Sequence, residues 1–299
     1  MKQDINVQQG MDRFSMERID KTWLTATFHD ENCRIIPIHK LNVLCANTPQ
    51  PRAIYLSNKN LTEPLDSIDS MVFLGIYEGT PYFATVINSD EMAAHLSIQT
   101  NAVFLNLRSV LSLLDYRDTQ ILTLARFMSY WHRRNRYCGK CGHKTKRSEG
   151  GHVRICQNDG CGERYFPSMD PAVIVLVSSG HRCLLGRKRE WPEGMYSTLA
   201  GFVEPGETAE EAVMREIREE AGITVDQVEY QHSQSWLFPG SLMLGFNARA
   251  QQDTIIVDNH ELEDARWFTR KEIESRPNLL PTRVSISYKL IMAWFDKGD

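Results

Sequence analysis

Residues 201–223 decide the fold, and they read GFVEPGETAEEAVMREIREEAGI. A strand ends near the first glycine, and the Pro-Gly pair that follows marks a turn. Thr208 and Glu211 form a capping box, so a helix begins there, with small and aliphatic residues at the spacing of a buried stripe. Gly222 suits the left-handed cap that ends a helix. The segment therefore predicts a strand, a tight turn and an amphipathic helix.

Three carboxylates share one turn of this predicted helix. Glu216, Glu219 and Glu220 stand at i, i+3 and i+4, which places them on one face. Left alone they would repel one another, whereas Mg²⁺ or Mn²⁺, which prefer hard oxygen ligands, would remove the repulsion. We predict a face that binds divalent metal, with Arg215 paired to Glu207. The alternative is a solvated acidic face.

Four of the seven cysteines fall within residues 138–161, as a CxxC pair followed by a CxxxxC pair. Short glycine-bearing turns let both thiolates of a pair face one ion, and two such pairs make a closed tetrahedral zinc site. No coordination position stays open, so we predict a structural zinc rather than a catalytic one. The alternatives are reduced core cysteines, or His143 and His152 as ligands. The predicted ligands are Cys138, Cys141, Cys156 and Cys161.

Length, composition and charge limit the classes of function. The chain has 299 residues, 42% of them hydrophobic and 24% charged, which is typical of globular proteins and predicts about two domains. A net charge of -4 gives no general attraction to nucleic acid or an anionic membrane. The longest apolar run, Ala172–Val177, is too short to span a bilayer. The polar N-terminus lacks a secretory signal, and seven cysteines are an odd number for a disulfide framework, so we expect the cytoplasm.

The sequence divides into three blocks. The first carries strand-like runs at Met71–Tyr77 and Tyr82–Ile87, with no residues that converge on a chemical site, so we expect a structural or dimerising domain. Near its end, Asp118 is predicted to cap a helix that runs to about Arg133. The second block holds the cysteines, and the third alternates strand and helix signals, as in a mixed α/β protein. The blocks are residues 1–125, 126–168 and 169–299.

The third block supplies most of the expected secondary structure. We predict strands at Ala172–Val177, at Cys183–Gly186 and over 197–203, and a final helix from about Val284 to Phe295. The helix with the carboxylates lies between these elements. The expected class is therefore α/β, with strands and helices mixed along the chain.

The pattern GX5EX7REUXEEXGU, with U a bulky aliphatic residue, is the Nudix box, and the chain matches it at every fixed position. The sequence thus resembles the Nudix family, whose enzymes hydrolyse a nucleoside diphosphate linked to another moiety. The resemblance implies an α/β/α sandwich with a mixed sheet, here preceded by a zinc ribbon and an N-terminal α/β domain. The matching positions are Gly201, Glu207, Arg215, Glu216, Ile217, Glu219, Glu220, Gly222 and Ile223.

A second motif, SQSWLFPGS over Ser233–Ser241, resembles the SQPWPFPxS signature of the NADH pyrophosphatase subfamily. The order of N-terminal domain, zinc ribbon and Nudix domain is also that of the subfamily. The chain departs from the signature at two prolines, and Phe166 stands where some members carry a tyrosine. From their chemistry, two of the motif's side chains offer stacking faces and two offer hydrogen bonds. The predicted substrate contacts of the motif are Gln234, Ser235, Trp236, Leu237, Phe238, Pro239, Gly240 and Ser241, with departures at Ser235 and Leu237.

The resemblance also implies the rest of the site. Two or three Mg²⁺ or Mn²⁺ ions would be held by the box glutamates, by Glu261 and by the backbone carbonyl of Ala200, with Glu263 as the competitor of Glu261. Glu219 would act as a ligand or as the general base. Phe166, Phe202 and Ser287 would line the nucleotide pocket. The implied catalytic residues are Glu216, Glu219 and Glu220.

The implied reaction is hydrolysis of NAD(H) to NMN(H) and AMP by a cytoplasmic homodimer that does not bind membranes. One alternative is the same chemistry used to remove an NAD cap from RNA, with basic residues of the ribbon contacting phosphates. The other is a non-catalytic regulator that senses a nucleotide, which the complete set of box glutamates disfavours. The basic residues in question are Lys140, Lys144, Lys146, Arg147 and Arg154.

Overall fold

The division of the chain into two compact units falls between Ser168 and Met169. The computed structural model describes residues 10–58, 68–236, 238–257, 260–276 and 278–298. In that part of the chain, no helix is long and apolar enough to cross a membrane. The limits predicted for the N-terminal domain and the ribbon stay predictions, and the two units are described separately below.

The first unit contains a five-stranded mixed sheet in the order β3-β4-β1-β2-β5. Only β1 and β4 pair in parallel, and the other neighbours are antiparallel. Three helices, α1, α2 and the single turn α3, precede or follow these strands. The two predicted strand runs are confirmed as β3 and β4. The elements are β1 (Arg34–His39), β2 (Asn42–Ala46), β3 (Val72–Tyr77), β4 (Thr80–Ile87), β5 (Ala102–Leu105), α1 (Lys21–Phe28), α2 (Asp90–Thr100) and α3 (Leu107–Val110).

Helix α4 (Tyr116–Arg134) is the predicted long helix of this unit, but its cap differs from the prediction. The side chain of Asp115, not that of Asp118, accepts the capping hydrogen bond, from the backbone N–H of residue 118. Asp118 is buried and accepts from the hydroxyl of Tyr55 at 2.5 Å and from the N–H of Ala53 at 3.2 Å. The prediction missed this because the partners of Asp118 lie more than 60 residues away in sequence.

The cysteine segment forms a three-stranded antiparallel sheet in the order β6-β7-β8. The Cys138–Cys141 pair lies on the turn before β6, and the Cys156–Cys161 pair runs from the end of β7 into the turn before β8; Gly142 and Gly162 take positive φ in these turns. The strands are β6 (Thr145–Ser148), β7 (Val153–Cys156) and β8 (Arg164–Tyr165).

The second unit contains a six-stranded mixed sheet in the order β12-β13-β9-β10-β14, with β11 paired to β9 beside this path. Strand β13 runs parallel to β9, and the other pairs are antiparallel. The predicted strands correspond to β9, β10 and β11. The elements are β9 (Asp170–Ser179), β10 (Arg182–Arg187), β11 (Leu199–Phe202), β12 (Val225–Trp236), β13 (Ser241–Ala250) and β14 (Asp264–Thr269).

Helices cover both faces of this sheet: α5 (Ala209–Ala221) on one, and α6 (Arg270–Glu274) with α7 (Ile286–Phe295) on the other. Strand β9 shows why. Val173 and Val175 pack with Val213 of α5, whereas Ile174, between them in sequence, packs with Leu290 of α7. A strand buried on both faces reads as the continuous apolar run seen in the sequence. The predicted α/β/α sandwich with a mixed sheet is confirmed.

Candidate active site

Helix α5 begins and ends as predicted. The Thr208 hydroxyl and the Glu211 carboxylate form the reciprocal capping box, and Gly222 closes the helix with φ of 67°. Because the cap fixes the first turn, the register of the three later carboxylates against β11 is fixed as well. The helix therefore presents its acidic face to the end of that strand.

Gly201 lies directly against the carboxylate of Glu216. A Cβ atom built on Gly201 would lie 1.9 Å from the Glu216 carboxyl carbon, closer than any real contact. Close approach of backbone to side chain, rather than an unusual φ, therefore requires glycine here. Glu216 is buried, and that burial raises the pKa of its carboxyl group, with Arg215 acting in the opposite direction.

Arg215 organises the loop and the helix. Its Nε and Nη2 donate to the two oxygens of Glu207 at 2.6 and 2.9 Å, and Nη2 also donates to the carbonyl of Phe202 at 2.8 Å. Its Nη1 donates to Glu216 and to Glu219, both at 2.9 Å. The predicted pair with Glu207 is present and bidentate, which is the strong form of such a bond. One guanidinium group thus balances three carboxylates and fixes the turn before α5.

Among the described carboxylic acids of the second unit, Glu220 has the largest shift in pKa. Burial raises the pKa of its carboxyl group to about 8; Lys188 opposes this rise, and Glu216 and Glu261 add to it. Both carboxylate oxygens are buried and have no hydrogen-bond partner within the described chain. The peptide group of Ala200 is near enough to lower the pKa, although not in hydrogen-bonding geometry. A buried carboxylate without partners indicates that a cation belongs beside it.

Glu261 and Glu263 have different neighbours, which distinguishes the two acids. Glu261 raises the pKa of both Glu216 and Glu220, so it faces the same space. Glu263 forms an ion pair with Arg187 at 2.8 Å. Of the two, Glu261 is therefore the one that the structure brings to the helix. Lys188 completes this space, and sequence reasoning missed it because a single lysine after a strand carries no pattern.

The carboxylates suit divalent cations in their chemistry, because they are hard oxygen donors that cannot neutralise one another. They are not gathered around one point. Within the described residues, the four thiols are the one group of His, Cys, Asp or Glu side chains close enough to share a single ion. Repulsion among the acids and the hold of Arg215 on Glu216 and Glu219 account for the spread. The donor set fits hard divalent cations.

The SQSWLFPGS motif forms the end of β12, a turn and the start of β13. Trp236 and Phe238 lie edge to face with ring centroids 5.5 Å apart. Gly240 accepts a backbone hydrogen bond from Asp170, which ties the turn to β9 at 2.9 Å. Within the motif Ser241 is buried, whereas Ser235 and Pro239 are exposed; Leu237 lies outside the described residues.

Two predicted substrate contacts have structural partners. The Gln234 amide donates to the carbonyl of Val284 and accepts from the N–H of Ile286, both at 2.8 Å, so it clasps the start of α7. The Ser287 hydroxyl is buried, accepts from the N–H of Thr198 at 3.1 Å and lies 2.8 Å from the hydroxyl of Ser197. Both side chains join α7 to neighbouring strands and loops.

Two aromatic residues predicted to line the pocket are exposed. Phe202, at the end of β11, is 58% exposed, and its carbonyl accepts from Arg215. Phe166 belongs to the first unit, where the guanidinium of Arg164 lies 5.7 Å from its ring centroid. A free aromatic face on Phe202 beside the acidic helix is suited to stacking on a base.

The four cysteines come together as the spacing predicts. Their sulfur atoms lie within 4.8 Å of one another, with Cys138 3.8 Å from Cys161 and Cys141 3.4 Å from Cys156. A tetrahedral site with Zn–S bonds of about 2.3 Å needs sulfur separations of about 3.8 Å, so the thiols fit one zinc ion. A hydrogen bond from the backbone N–H of His143 lowers the pKa of Cys141 to about 6, which favours the thiolate that a metal requires.

Three residues near the thiols have roles that the spacing does not reveal. The hydroxyl of Tyr165 accepts from the N–H of Gly139 at 2.9 Å and lies 3.2 Å from the sulfur of Cys138. His143 is exposed, and its ring contacts the carbonyl of Cys141. The ring of His152 is bonded to the carbonyl of Phe73 at 2.7 Å, and burial lowers the pKa of His152 to about 4. Neither histidine belongs to the thiol group.

The basic residues of the ribbon do not form one solvated face. Lys140 is paired with Glu163 at 3.3 Å, and Lys144 and Lys146 are exposed. Arg154 is only 8% exposed, and Arg147 donates to the carbonyl of Ser70 at 2.5 Å. Two of the five residues predicted for phosphate contact are therefore turned toward the interior of the first unit.

The mixed-sheet sandwich, the capped acidic helix and the thiol cluster together define a class of protein. The NUDIX domain model matches residues 169–295, the NADH pyrophosphatase zinc ribbon domain matches 133–166, and the NADH pyrophosphatase-like rudimentary NUDIX domain matches 33–131. The chain belongs to the Nudix hydrolase family, in its NADH pyrophosphatase group.

Individual relatives within this group are similar to the chain over most of its length. NAD-capped RNA hydrolase NUDT12 of Macaca fascicularis is 32% identical, covering 95% of this chain and 71% of its own length. NAD-capped RNA hydrolase NudC of Pseudomonas syringae pv. syringae is 38% identical, covering 74% and 75%. The human mitochondrial NAD(P)H pyrophosphatase NUDT13 is 38% identical, covering 65% of this chain and 60% of its own length.

Proposed function

We propose that this chain hydrolyses the pyrophosphate bond of NAD(H) to give NMN(H) and AMP. The observation that carries the proposal is Glu220, a buried carboxylate without hydrogen-bond partners beside Glu216 on the box helix. The activities for which the relatives are named, NAD(P)H pyrophosphatase and NAD-capped RNA hydrolase, support the same bond as the target. All box glutamates are present, which disfavours a regulator without activity.

In this proposal, Glu216, Glu220 and Glu261 hold the divalent cations, with the carbonyl of Ala200 as a further ligand. The cations, when bound, would neutralise the charge of the pyrophosphate and lower the pKa of a water molecule. Arg215 then acts through position, because it fixes the turn and one oxygen of Glu216. Glu219 has a side chain that is 58% exposed, so it can accept a proton from water.

The dinucleotide would be held by aromatic faces and by the turn after β12. Trp236 and Phe238 form a fixed pair, and Phe202 presents its ring at the end of β11. We place base or nicotinamide stacking on these rings. Gln234 and Ser287 contribute by setting the position of α7, through the hydrogen bonds described above. Phe166 and the exposed positions of the turn stay as proposed contacts.

Product analysis by chromatography tests the reaction, with purified chain, NADH and either Mg²⁺ or Mn²⁺. We expect NMNH and AMP in equal amounts, and loss of both in Glu220→Gln. The matched control is Glu210→Gln, which makes the same change at an exposed position in the first turn of α5 and should keep full activity. If NADH stays intact while another dinucleotide is cleaved, the family assignment holds but NADH is not the substrate.

A second candidate uses the same site to remove NAD caps from RNA. The names of the macaque and Pseudomonas relatives favour it. Competition between NADH and NAD-capped RNA for one enzyme sample decides which is preferred. A larger kcat/KM for the capped RNA, with a steep decrease as salt rises, would make RNA the main substrate.

The remaining proposals concern metal, assembly and location. We propose one structural zinc per chain, which elemental analysis of the purified protein measures. We also propose a homodimer, tested by light scattering coupled to size-exclusion chromatography. Four thiolates must stay reduced to hold zinc, which favours a reducing compartment such as the cytoplasm. Fractionation of cells that express the tagged chain tests this.

A further inference from the structure

A cavity of about 1080 Å³ lies within the first unit, apart from every residue proposed for catalysis. One wall comes from the end of α4 and the ribbon strands β6 and β7. The other wall comes from the central sheet, where Ile38, Phe73 and Phe83 lie behind it, almost fully buried. The cavity is as large as those that hold small ligands in other proteins.

The charge of the wall is strongly positive. Two carboxylates line the cavity, and each is already paired: Asp69 with Lys21 at 2.9 Å, and Glu149 with Arg164. Of the lining cations, Lys40 is paired with Asp90 at 2.6 Å. Five others have no carboxylate within 4.0 Å among the described residues. These five are Arg133, Arg136, Lys146, Arg147 and Arg154.

Two of the cations stand directly opposite each other in the ribbon. Arg147 of β6 and Arg154 of β7 are register partners, so their side chains leave the same face of the sheet. Like charges in that position destabilise a strand pair. Neutral partners hold both: Arg154 donates to Thr145, and Arg147 donates to the carbonyl of Ser70. An anion between them would remove the repulsion that these neutral contacts leave.

His132 supplies an independent indication of a ligand. It is 3% exposed, lines the cavity, and accepts at Nδ1 from the guanidinium of Arg154 at 3.0 Å. Arginine only donates, so the neutral ring carries its proton on Nε2. That Nε2 is buried and makes no hydrogen bond within the described chain, although the backbone of Gly151 is near enough to raise the pKa of the ring without being in hydrogen-bonding geometry. A buried donor without an acceptor in hydrogen-bonding geometry, beside guanidinium groups that have no carboxylate partner, points to an oxygen-bearing anion.

We propose that this cavity binds a phosphorylated small molecule of nucleotide size, with its phosphate at the wall formed by His132, Arg147 and Arg154. The apolar lining residues that keep accessible surface, Ile19, Leu41 and Val86, would contact the uncharged part of the ligand. Because Arg154 and His132 are buried, a polymer lying on the surface would not reach them. A small ligand that enters the cavity therefore fits better than RNA.

Calorimetric titration of the full chain with AMP and with pyrophosphate tests the proposal. Mg²⁺ and Mn²⁺ are omitted, so that the acidic helix of the second unit has no cation to attract phosphate. The variant Arg133→Gln/Arg136→Gln removes two exposed cations from the wall without touching the bonds of Arg154. The matched control, Arg134→Gln/Lys144→Gln, removes two exposed cations that do not line the cavity.

We expect AMP to bind more tightly than pyrophosphate, and the wall variant to weaken AMP by about tenfold or more, because it removes two cations of the wall that attract the phosphate. The control should change affinity by less than about twofold, as distant surface charges do. Hydrogen exchange should slow on AMP addition over residues 129–136 and 145–155. Equal affinity in both variants, or no protection there, would overturn the proposal.

Two other outcomes would also overturn it. Pyrophosphate binding as tightly as AMP would remove the nucleotide assignment, because the apolar wall would contribute nothing. Single-stranded RNA that binds through the same residues, while AMP does not, would make the wall a nucleic-acid surface. Both readouts are independent of NADH hydrolysis, so either the cavity proposal or the proposed enzyme activity can fail without affecting the other.

Discussion

The thiol cluster and the carboxylate cluster both hold side chains of like charge near one another, but their geometries differ. The thiols converge on one point, with sulfur atoms within 4.8 Å of one another, and backbone turns fix each pair. The carboxylates of α5 remain spread, because Arg215 holds two of them and Glu220 stands alone. A closed site stabilises a fold, whereas an open one keeps positions for substrate and water. The difference predicts opposite responses to loss of metal.

The largest effect is expected at the closed site. Cys156→Ser should remove the zinc and lower the free energy of unfolding by about 5 kcal/mol, because metal binding in such a block is folding free energy. Elemental analysis and thermal unfolding measure both quantities. The control Cys183→Ala changes a fully buried cysteine outside the cluster, and it should keep the zinc. A Cys156→Ser protein that unfolds at the wild-type temperature would refute the structural role.

At the open site, loss of one ligand should affect rate rather than fold. Glu220→Gln should lower kcat/KM for NADH about a thousandfold, which corresponds to about 4 kcal/mol of barrier. Steady-state kinetics at saturating Mg²⁺ measures this, with Glu210→Gln alongside. Thermal unfolding of Glu220→Gln should occur at or above the wild-type temperature. Near-normal turnover would remove Glu220 from the metal site.

The pH dependence of stability should show the same contrast without divalent metal. The pKa of Glu220 is about 8 in the folded chain and about 4.5 when unfolded, so the folded state binds more protons between these values. Stability therefore falls as pH rises from about 4.5 to about 8, by about 4 kcal/mol. Urea unfolding at pH 5 and pH 8 measures the loss, with zinc retained.

Two comparisons sharpen the pH experiment. In Glu220→Gln the loss of stability between pH 5 and pH 8 should be smaller, since the titrating group is gone. Saturating Mg²⁺ should also reduce it, because the cation stabilises the ionised carboxylate. If the variant and the wild type lose the same stability, another group is responsible.

The smallest effect is expected at Glu219, which is exposed and paired with Arg215. Glu219→Gln should lower kcat about tenfold, or about 1.4 kcal/mol, as loss of an assisting group does. Kinetics across pH distinguish its roles: loss of a general base lowers the rate most at high pH, where such a base is ionised, and least at low pH, where protonation already disables it in the wild type. A loss as large as that of Glu220→Gln would make Glu219 a principal metal ligand.

Local patterns predicted most of what the structure contains. The capping box, Gly222 and the spacing of the cysteines each depend on residues a few positions apart, so the sequence is sufficient to find them. The predicted cap of α4 was wrong because Asp118 instead hydrogen-bonds to long-range partners, Tyr55 and Ala53. Long-range packing also turned Arg147 and Arg154 inward, which no basic pattern reveals.

The resemblance contributed what periodicity did not. It named Glu261 over Glu263, and the surroundings of these two acids are consistent with that choice. It also named Gln234 and Ser287 as substrate contacts, but their hydrogen bonds to neighbouring backbone are visible only in three dimensions. A motif records that a residue matters in a family, and the structure is needed to say through which contact.

The close approach of Gly201 to Glu216 limits the order in which substitutions can accumulate in this protein. An alanine at 201 leaves no room for the Glu216 carboxylate, so that change alone is expected to displace it. Shortening the acid first, as in Glu216→Asp, would open the space that alanine then needs. The two positions are therefore coupled in evolution: alanine at 201 fits without a clash only after the acid at 216 has been shortened.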